Sequence, residues 1–298
     1  MSKARVAILG VGIMGGGMAS QLLSAGFPLI VYNRNRERAQ PLVDAGAVLA
    51  SSPREAAARS EITLSMVADD AASRGVWLGD NGALAGVSPG ALLVECSTLT
   101  VPWIKELAAA AGAQGCDFLD APVTGSKSHA AAGDLLFLVG GPEKALAAAM
   151  PVFSVLGRDT IHFGSTGSGA VMKLINNFMA GVQAASLAEA IAFIHAGGLD
   201  LDKALQILTT GAPGSPMIKL MTARANSGDF TPNFLLRLMV KDLAYASEEG
   251  ARHGVNLQTA KAAHAVFQNA VTAGYGEQDL SAVIESLSPK TAKNRRSA

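Results

Sequence analysis

Val6-Ala7-Ile8-Leu9-Gly10-Val11-Gly12-Ile13-Met14-Gly15 decides the fold of this chain. Val6–Leu9 reads as a buried strand, Gly10–Gly17 as a tight turn, and Met14–Ala25 as a helix that stops at Gly26. In a GxGxxG turn the first glycine makes the bend and the second lets backbone N–H groups approach a pyrophosphate. The third lets helix and strand pack closely, and the positive end of the helix faces the phosphates. Gly10, Gly12 and Gly15, with Ile13 and Met14 between them, are therefore expected to hold a dinucleotide.

The next strand, Leu29–Tyr32, ends in Asn33-Arg34-Asn35-Arg36. A site for NAD usually has Asp or Glu here, to bind the ribose 2′-hydroxyl. This chain has no carboxylate there to repel a 2′-phosphate. Arg34 can pair with that phosphate through two parallel N–H bonds, and Asn33 can hydrogen-bond it. The expected cofactor is NADP(H) in preference to NAD(H).

Outward from this stretch, short apolar strands alternate with helical runs as far as residue 164. Further strands are expected at Ile62–Met66, Leu92–Glu95, Phe118–Leu119, Leu135–Val139 and Ile161–Phe163. Helices are expected at Pro53–Ala58, Trp103–Ala111 and Pro142–Val155. Such alternation predicts a mostly parallel sheet covered by helices, a Rossmann domain over residues 1–164. After Gly164 the strand signals stop, and residues 165–298 read as an all-helical domain. Its longest helix, Ser168–Ala196, would extend roughly 40 Å. Small residues at Gly181, Ala184, Ala185 and Ala188 would let it pack closely against a neighbour, and its length suggests contact with a second subunit.

The chain has 298 residues, 49% of them hydrophobic, and 24 basic residues against 24 acidic ones. That balance gives no basic surface for nucleic acid. Two cysteines, Cys96 and Cys116, suit a reduced intracellular protein. The start of the chain does not read as a signal peptide, and the long helix contains Asn176, Asn177, Gln183 and Glu189, which a bilayer would not readily accept. A cytoplasmic protein without a membrane partner is expected. The five histidines have no metal-ligand spacing, so no metal site is expected.

The long helix opens Gly167-Ser168-Gly169-Ala170-Val171-Met172-Lys173, and continues Leu174-Ile175-Asn176-Asn177. Lys173 and Asn177 lie four apart, on one helix face. A lysine in so apolar a segment is costly without a partner or a task.

Four stretches together resemble the β-hydroxyacid dehydrogenases, the group of 3-hydroxyisobutyrate dehydrogenase, tartronate semialdehyde reductase and the glyoxylate/succinic semialdehyde reductases. They are Gly10–Gly15, Asp120-Ala121-Pro122-Val123-Thr124-Gly125-Ser126, Gly167–Asn177 and Lys241-Asp242-Leu243. The resemblance spans nearly the whole chain. It implies a 6-phosphogluconate-dehydrogenase-like pair of domains, and hydride transfer between a nicotinamide and a short carboxylic acid bearing an alcohol or carbonyl. It also implies a homodimer or homotetramer.

By the same resemblance Lys173 is the catalytic lysine. Thr124, Gly125, Ser126 and Asn177 hold the substrate, and Phe234 stands where related reductases have an aromatic wall. Thr98, Lys241, Met66 and Val67 are implied as cofactor contacts, Thr98 and Lys241 toward the nicotinamide and Met66-Val67 toward the adenosine. A lysine in the Lys173 position can protonate the alkoxide made by carbonyl reduction. Ser97-Thr98 is also a plausible N-cap for the helix at Trp103.

The chain departs from the family in its substrate loop. Thr124-Gly125-Ser126-Lys127 replaces the more common Ser-Gly-Gly and is closer to the glyoxylate and succinic semialdehyde branch. This leaves the individual substrate open, as it does the physiological direction. An imine reductase on the same fold and a non-catalytic NADP(H)-binding protein are the alternatives; Lys173 with the intact Thr-Gly-Ser loop argues against the first, and the presence of both Lys173 and Asn177 against the second.

Overall fold

The computed structural model describes residues 3–287. The first half begins with β1 (Val6–Leu9), α1 (Ile13–Ser24), β2 (Leu29–Tyr32), α2 (Gln40–Asp44), β3 (Val48–Leu49), α3 (Pro53–Ala58) and β4 (Ile62–Ser65). It continues with α4 (Asp70–Trp77), β5 (Leu92–Glu95), α5 (Val101–Ala113), β6 (Asp117–Asp120) and β7 (Val123–Thr124). Then come α6 (Lys127–Ala132), β8 (Leu135–Gly140), α7 (Glu143–Leu156) and β9 (Gly157–Gly164).

The strands form one sheet in the order β3-β2-β1-β4-β5-β6-β8-β7, with β9 on β8. Pairing is parallel from β3 to β6. β8 runs antiparallel to β6 and, after Pro122, to β7, and parallel to β9. β1, β4 and β5 are buried along their whole length, as expected for apolar strands with helices on both faces. Their core includes Val6, Ile8, Leu64, Val94 and Leu119 with Met18 and Leu22 of α1. Phe137 of β8 stacks on Phe153 of α7, with ring centroids 4.2 Å apart.

The remaining elements are helical: α8 (Ser168–Ala196), α9 (Leu201–Thr210), α10 (Pro216–Ser227), α11 (Leu236–Arg252), α12 (Gln258–Ala270) and α13 (Val283–Leu287). α8 has the predicted limits. α10 ends where Gly228, with a φ of 64°, forms a left-handed cap. α2, α4 and α6, and the two-residue strands β3 and β7, are additions to the sequence reading.

By its contacts the chain divides into two compact units, one up to Lys173 and one from Leu174 onward. The division falls inside α8, beyond the boundary after residue 164 expected from the sequence. The reason is local, because the start of α8 is docked onto the sheet. A Cβ on Gly169 would stand 2.3 Å from the Leu138 carbonyl oxygen and 2.9 Å from that of Asp120.

In the second unit the small residues of α8 have the expected use. Ala184, Ala185 and Ala188 are buried. A Cβ on Gly181 would meet Met239 Sδ at 2.8 Å and Leu243 Cδ2 at 3.0 Å, so α8 and α11 pack closely there. By length and composition alone α8 could cross a bilayer, the one such helix among the described residues. Here Leu187 and Ile191 of α8 lie in a core shared with Met221, Met239, Leu243 and Phe267.

Candidate active site

The glycine turn has the geometry its sequence implies. Gly10 adopts φ +98°, its N–H donates to the Tyr32 carbonyl at 2.8 Å, and a Cβ on it would lie 2.4 Å from the Met66 carbonyl oxygen. A Cβ on Gly15 would lie 2.0 Å from Gly10 O, whereas one on Gly12 would meet nothing within 4 Å. Gly12 is the N-cap of α1 and offers no side-chain cap, and the first turn has no acidic residue. The helix start and the open space at Gly12 fit a pyrophosphate.

This difference between glycines gives a prediction. Gly12→Ala should leave the melting temperature unchanged and weaken NADPH binding by at least about tenfold, because the methyl occupies the space of the phosphates. Gly15→Ala should lower the melting temperature as well. Thermal unfolding and NADPH titration of both variants check this, and wild-type affinity in Gly12→Ala would contradict it.

Asn33 is placed at the end of β2, where its side chain ties the turn together. Its Oδ1 accepts from Val11 N–H at 3.1 Å and its Nδ2 donates to the Asn35 carbonyl at 2.7 Å. Arg34 is exposed. Met66 N–H donates to the Leu9 carbonyl at 2.9 Å, and Val67 N–H donates to Ser97 Oγ at 2.8 Å. The N-cap of α5 is Thr100, whose Oγ1 accepts from Trp103 N–H at 3.4 Å. Neither Ser97 nor Thr98 caps that helix.

β6 ends at Asp120, which is fully buried. Its Oδ1 accepts from Gly167 N–H and its Oδ2 from Ala170 N–H, both at 2.8 Å. The carboxylate thus caps the start of α8, the helix of Lys173, and β6 leads through Pro122 into the Thr124–Ser126 loop. Burial pushes the Asp120 carboxyl up to about 6, against the backbone N–H groups of Gly167, Ala170, Asp120 and Gly169 that lower it.

In the loop, Thr124 is half-buried and pairs with Leu136, and Gly125 takes φ +132°. Ser126 begins α6, and its N–H donates to His129 Nδ1 at 3.1 Å while its Oγ lies 2.8 Å from the same nitrogen. The sequence reading gave His129 no role. Its spacing from Ser126 is that of a capping box, a signal that could have found it.

Lys173 is buried, at 9% exposure. In the second unit Asn177 Nδ2 donates to Asp242 Oδ2, and Lys241 Nζ lies 2.9 Å from Asp242 Oδ1. One buried carboxylate therefore joins two residues that the sequence analysis singled out separately. Lys241 also stands over the Tyr245 ring, 4.9 Å from its centroid. Phe234 is half-buried against the helical core. Its loop is fixed by Asp279, which accepts from Asn233 N–H at 2.9 Å and Phe234 N–H at 3.2 Å and lies 3.5 Å from Arg224. No group of three or more His, Cys, Asp or Glu that could hold a metal ion occurs among the described residues.

Residues 5–164 match the NAD binding domain of 6-phosphogluconate dehydrogenase, and residues 167–287 match the NAD-binding domain of NADP-dependent 3-hydroxyisobutyrate dehydrogenase. An NAD-dependent L-serine dehydrogenase of Pseudomonas aeruginosa is 35% identical, over 96% of this chain and 98% of its own. A chloroplastic glyoxylate/succinic semialdehyde reductase of Arabidopsis thaliana is 36% identical, over 97% of this chain and 80% of its own. The solved 3-hydroxyisobutyrate dehydrogenase of Salmonella typhimurium superposes with a TM-score of 0.86 at 32% identity, over 94% of this chain and 99% of that one.

The chain belongs to the β-hydroxyacid dehydrogenase family. It is an NAD(P)-dependent oxidoreductase of the hydroxyacid dehydrogenase type, acting on CH–OH groups of small substrates.

Proposed function

We propose that this enzyme reduces a small aldehyde or keto acid with NADPH, and that glyoxylate, succinic semialdehyde and tartronate semialdehyde are the first substrates to try. The observation that carries the proposal is the setting of Lys173. It is buried on α8 one turn from Asn177, and the start of that helix is capped by Asp120, just before the Thr124–Ser126 loop.

The cofactor supplies a hydride to the carbonyl carbon. Lys173 in its ammonium form stabilises the negative charge growing on the carbonyl oxygen and gives it a proton. In the oxidative direction the neutral amine takes that proton. The Thr124 hydroxyl and the Gly125 N–H hold the substrate carboxylate, on a loop shaped by the Ser126–His129 contact. Asn177, fixed by Asp242, orients the reacting end, and Phe234 shields it. Gly10, Gly12, Ile13, Met14, Gly15, Asn33, Arg34, Met66, Val67, Thr98 and Lys241 remain the proposed cofactor contacts, with Asn33 acting by shaping the turn. Lys173 and the intact Thr-Gly-Ser loop favour a carbonyl over an imine substrate.

NADPH consumption with glyoxylate, succinic semialdehyde, tartronate semialdehyde and methylmalonate semialdehyde tests this reading. NADH runs alongside, since one relative at 35% identity is NAD-dependent. Fast oxidation with at least one acid is expected, and silence across the panel with cofactor binding intact would overturn it.

The preference for NADPH rests on Arg34. Arg34→Asp is expected to shift the NADPH/NADH ratio of kcat/KM toward NADH by on the order of 100-fold, through loss of a charge-assisted pair and gain of a repulsion. An unmoved ratio would remove the assignment.

We also place the enzyme in the cytoplasm as a homodimer or homotetramer. Ile175, Met179 and Phe193 of α8, apolar and 48%, 50% and 79% exposed, support self-association. Sedimentation should give a multiple of the 30.4 kDa chain mass, and a monomer would rule this out.

A further inference from the structure

A second fully buried carboxylate lies at the end of a central strand, and the chemistry above does not use it. Glu95, the last residue of β5, is 0% exposed. Its Oε2 accepts from Ser73 Oγ at 2.7 Å and from Trp77 Nε1 at 2.8 Å, both on α4. Ser73 Oγ in turn accepts from Trp103 Nε1 of α5 at 2.9 Å. Glu95 Oε1 accepts from Ser97 N–H at 2.9 Å, and Ser97 Oγ accepts from Val67 N–H. A charge with no water around it is expensive, and burial raises the Glu95 carboxyl above its usual range.

The arrangement is nonetheless matched to an anion. The indole and backbone N–H groups can only donate, and the Ser73 oxygen already receives the Trp103 N–H. The five groups form one connected network that links the turn after β4 with the turn after β5. A pair of helices could be anchored to a strand by apolar packing alone. What the carboxylate adds is a fixed position for the Ser97 backbone, and through Ser97 for Val67.

We propose that Glu95 is a positioning residue for the cofactor: from inside the sheet, through its bond to the Ser97 N–H, it holds the Ser97-Thr98 turn in the shape that receives the nicotinamide ribose. This rests on the reading of Thr98 as a cofactor contact. Of the residues proposed to hold the adenosine half, the glycine turn and Arg34 have no member in the network, and Val67 joins it only through the Ser97 hydroxyl. Glu95 bonds the Ser97 backbone directly, so it acts first on the nicotinamide end of the cofactor. The only two tryptophans in the chain are both bonded into the network, so their emission reports on it.

The test compares two ligands by direct titration: NADP⁺ and adenosine 2′,5′-bisphosphate, which lacks the nicotinamide ribose. Glu95→Gln places an amide NH₂ against groups that can only donate. It should weaken NADP⁺ about tenfold and the fragment by less than about threefold. In the wild-type protein NADP⁺ should shift the tryptophan emission and the fragment should not. Equal losses for both ligands, or none, would overturn the proposal. If Glu95→Gln does not fold, Glu95→Asp, which keeps the charge but is one methylene too short to reach the Ser97 N–H from the same backbone position, decides by the same comparison, a selective loss of NADP⁺ supporting the proposal and an equal or absent loss overturning it. Wild-type protein that binds NADP⁺ but reduces no acid of the panel would sink the proposed reaction and leave the Glu95 result standing. Wild-type protein that does not bind NADP⁺ would overturn both.

Discussion

Lys173→Ala should cut kcat by roughly 10³-fold while NADPH binding stays within about twofold, because it removes the group proposed to protonate the new alkoxide and leaves the glycine turn untouched. The ammonium acts on charge that exists only as the carbonyl is reduced, so its loss falls on kcat more than on substrate affinity. The substitution also exchanges a buried lysine for the residue most compatible with a helix, so α8 should survive it. Stopped-flow hydride transfer and NADPH titration check both halves. Wild-type turnover would remove Lys173 from the chemistry, and loss of NADPH binding would make it a structural residue.

The second large effect concerns pH. The carboxyl of Asp120 should titrate at about 6 in the native protein, against an ordinary value of 3.8. Between those values the native state keeps a proton that the unfolded chain gives up. Stability from this group is therefore fully present below pH 3.8 and is lost as pH rises through about 6. A shift of about two units corresponds to about 3 kcal/mol.

Denaturant unfolding of the wild type and of Asp120→Asn between pH 4 and 7 should show their stability difference changing by about that amount, since Asn cannot titrate. A carbon-13 titration of the Asp120 carboxyl gives its value directly. A midpoint at or below 4 would mean that the two N–H donors at the start of α8 outweigh burial.

The features legible in the sequence are the local ones. Val6–Gly15 encodes strand, turn and helix within a few residues, and Gly10 and Gly15 each have a close backbone contact to explain them. The limits of α8 could be read because its apolar pattern is long and free of proline. α4 was hidden by Gly75 and by its short length, and α6 by lying in a stretch read as a substrate loop. β3 and β7 have two residues each, too few to show an alternation.

Asp120 stood within a quoted motif, yet its partners Gly167 and Ala170 lie 47 and 50 residues away and no spacing rule connects them. Asp242 and Asn177 are 65 residues apart for the same reason. Glu95 reads in the sequence as the polar end of a strand, and only the positions of Ser73, Trp77 and the Ser97 N–H show that it is enclosed by donors. Asn33 was marked by its place after β2, but the direction of its side chain, toward Val11 and Asn35, required coordinates.

The most direct test of the whole account follows the hydride. Wild-type enzyme would be given NADPH deuterated at the transferring position of the nicotinamide, together with the best acid of the panel, and the isolated hydroxy acid analysed by mass spectrometry. One deuterium is expected on the carbon that was the carbonyl, together with a slowed hydride-transfer step. A product without deuterium, or no reduced product while the cofactor binds, would contradict it.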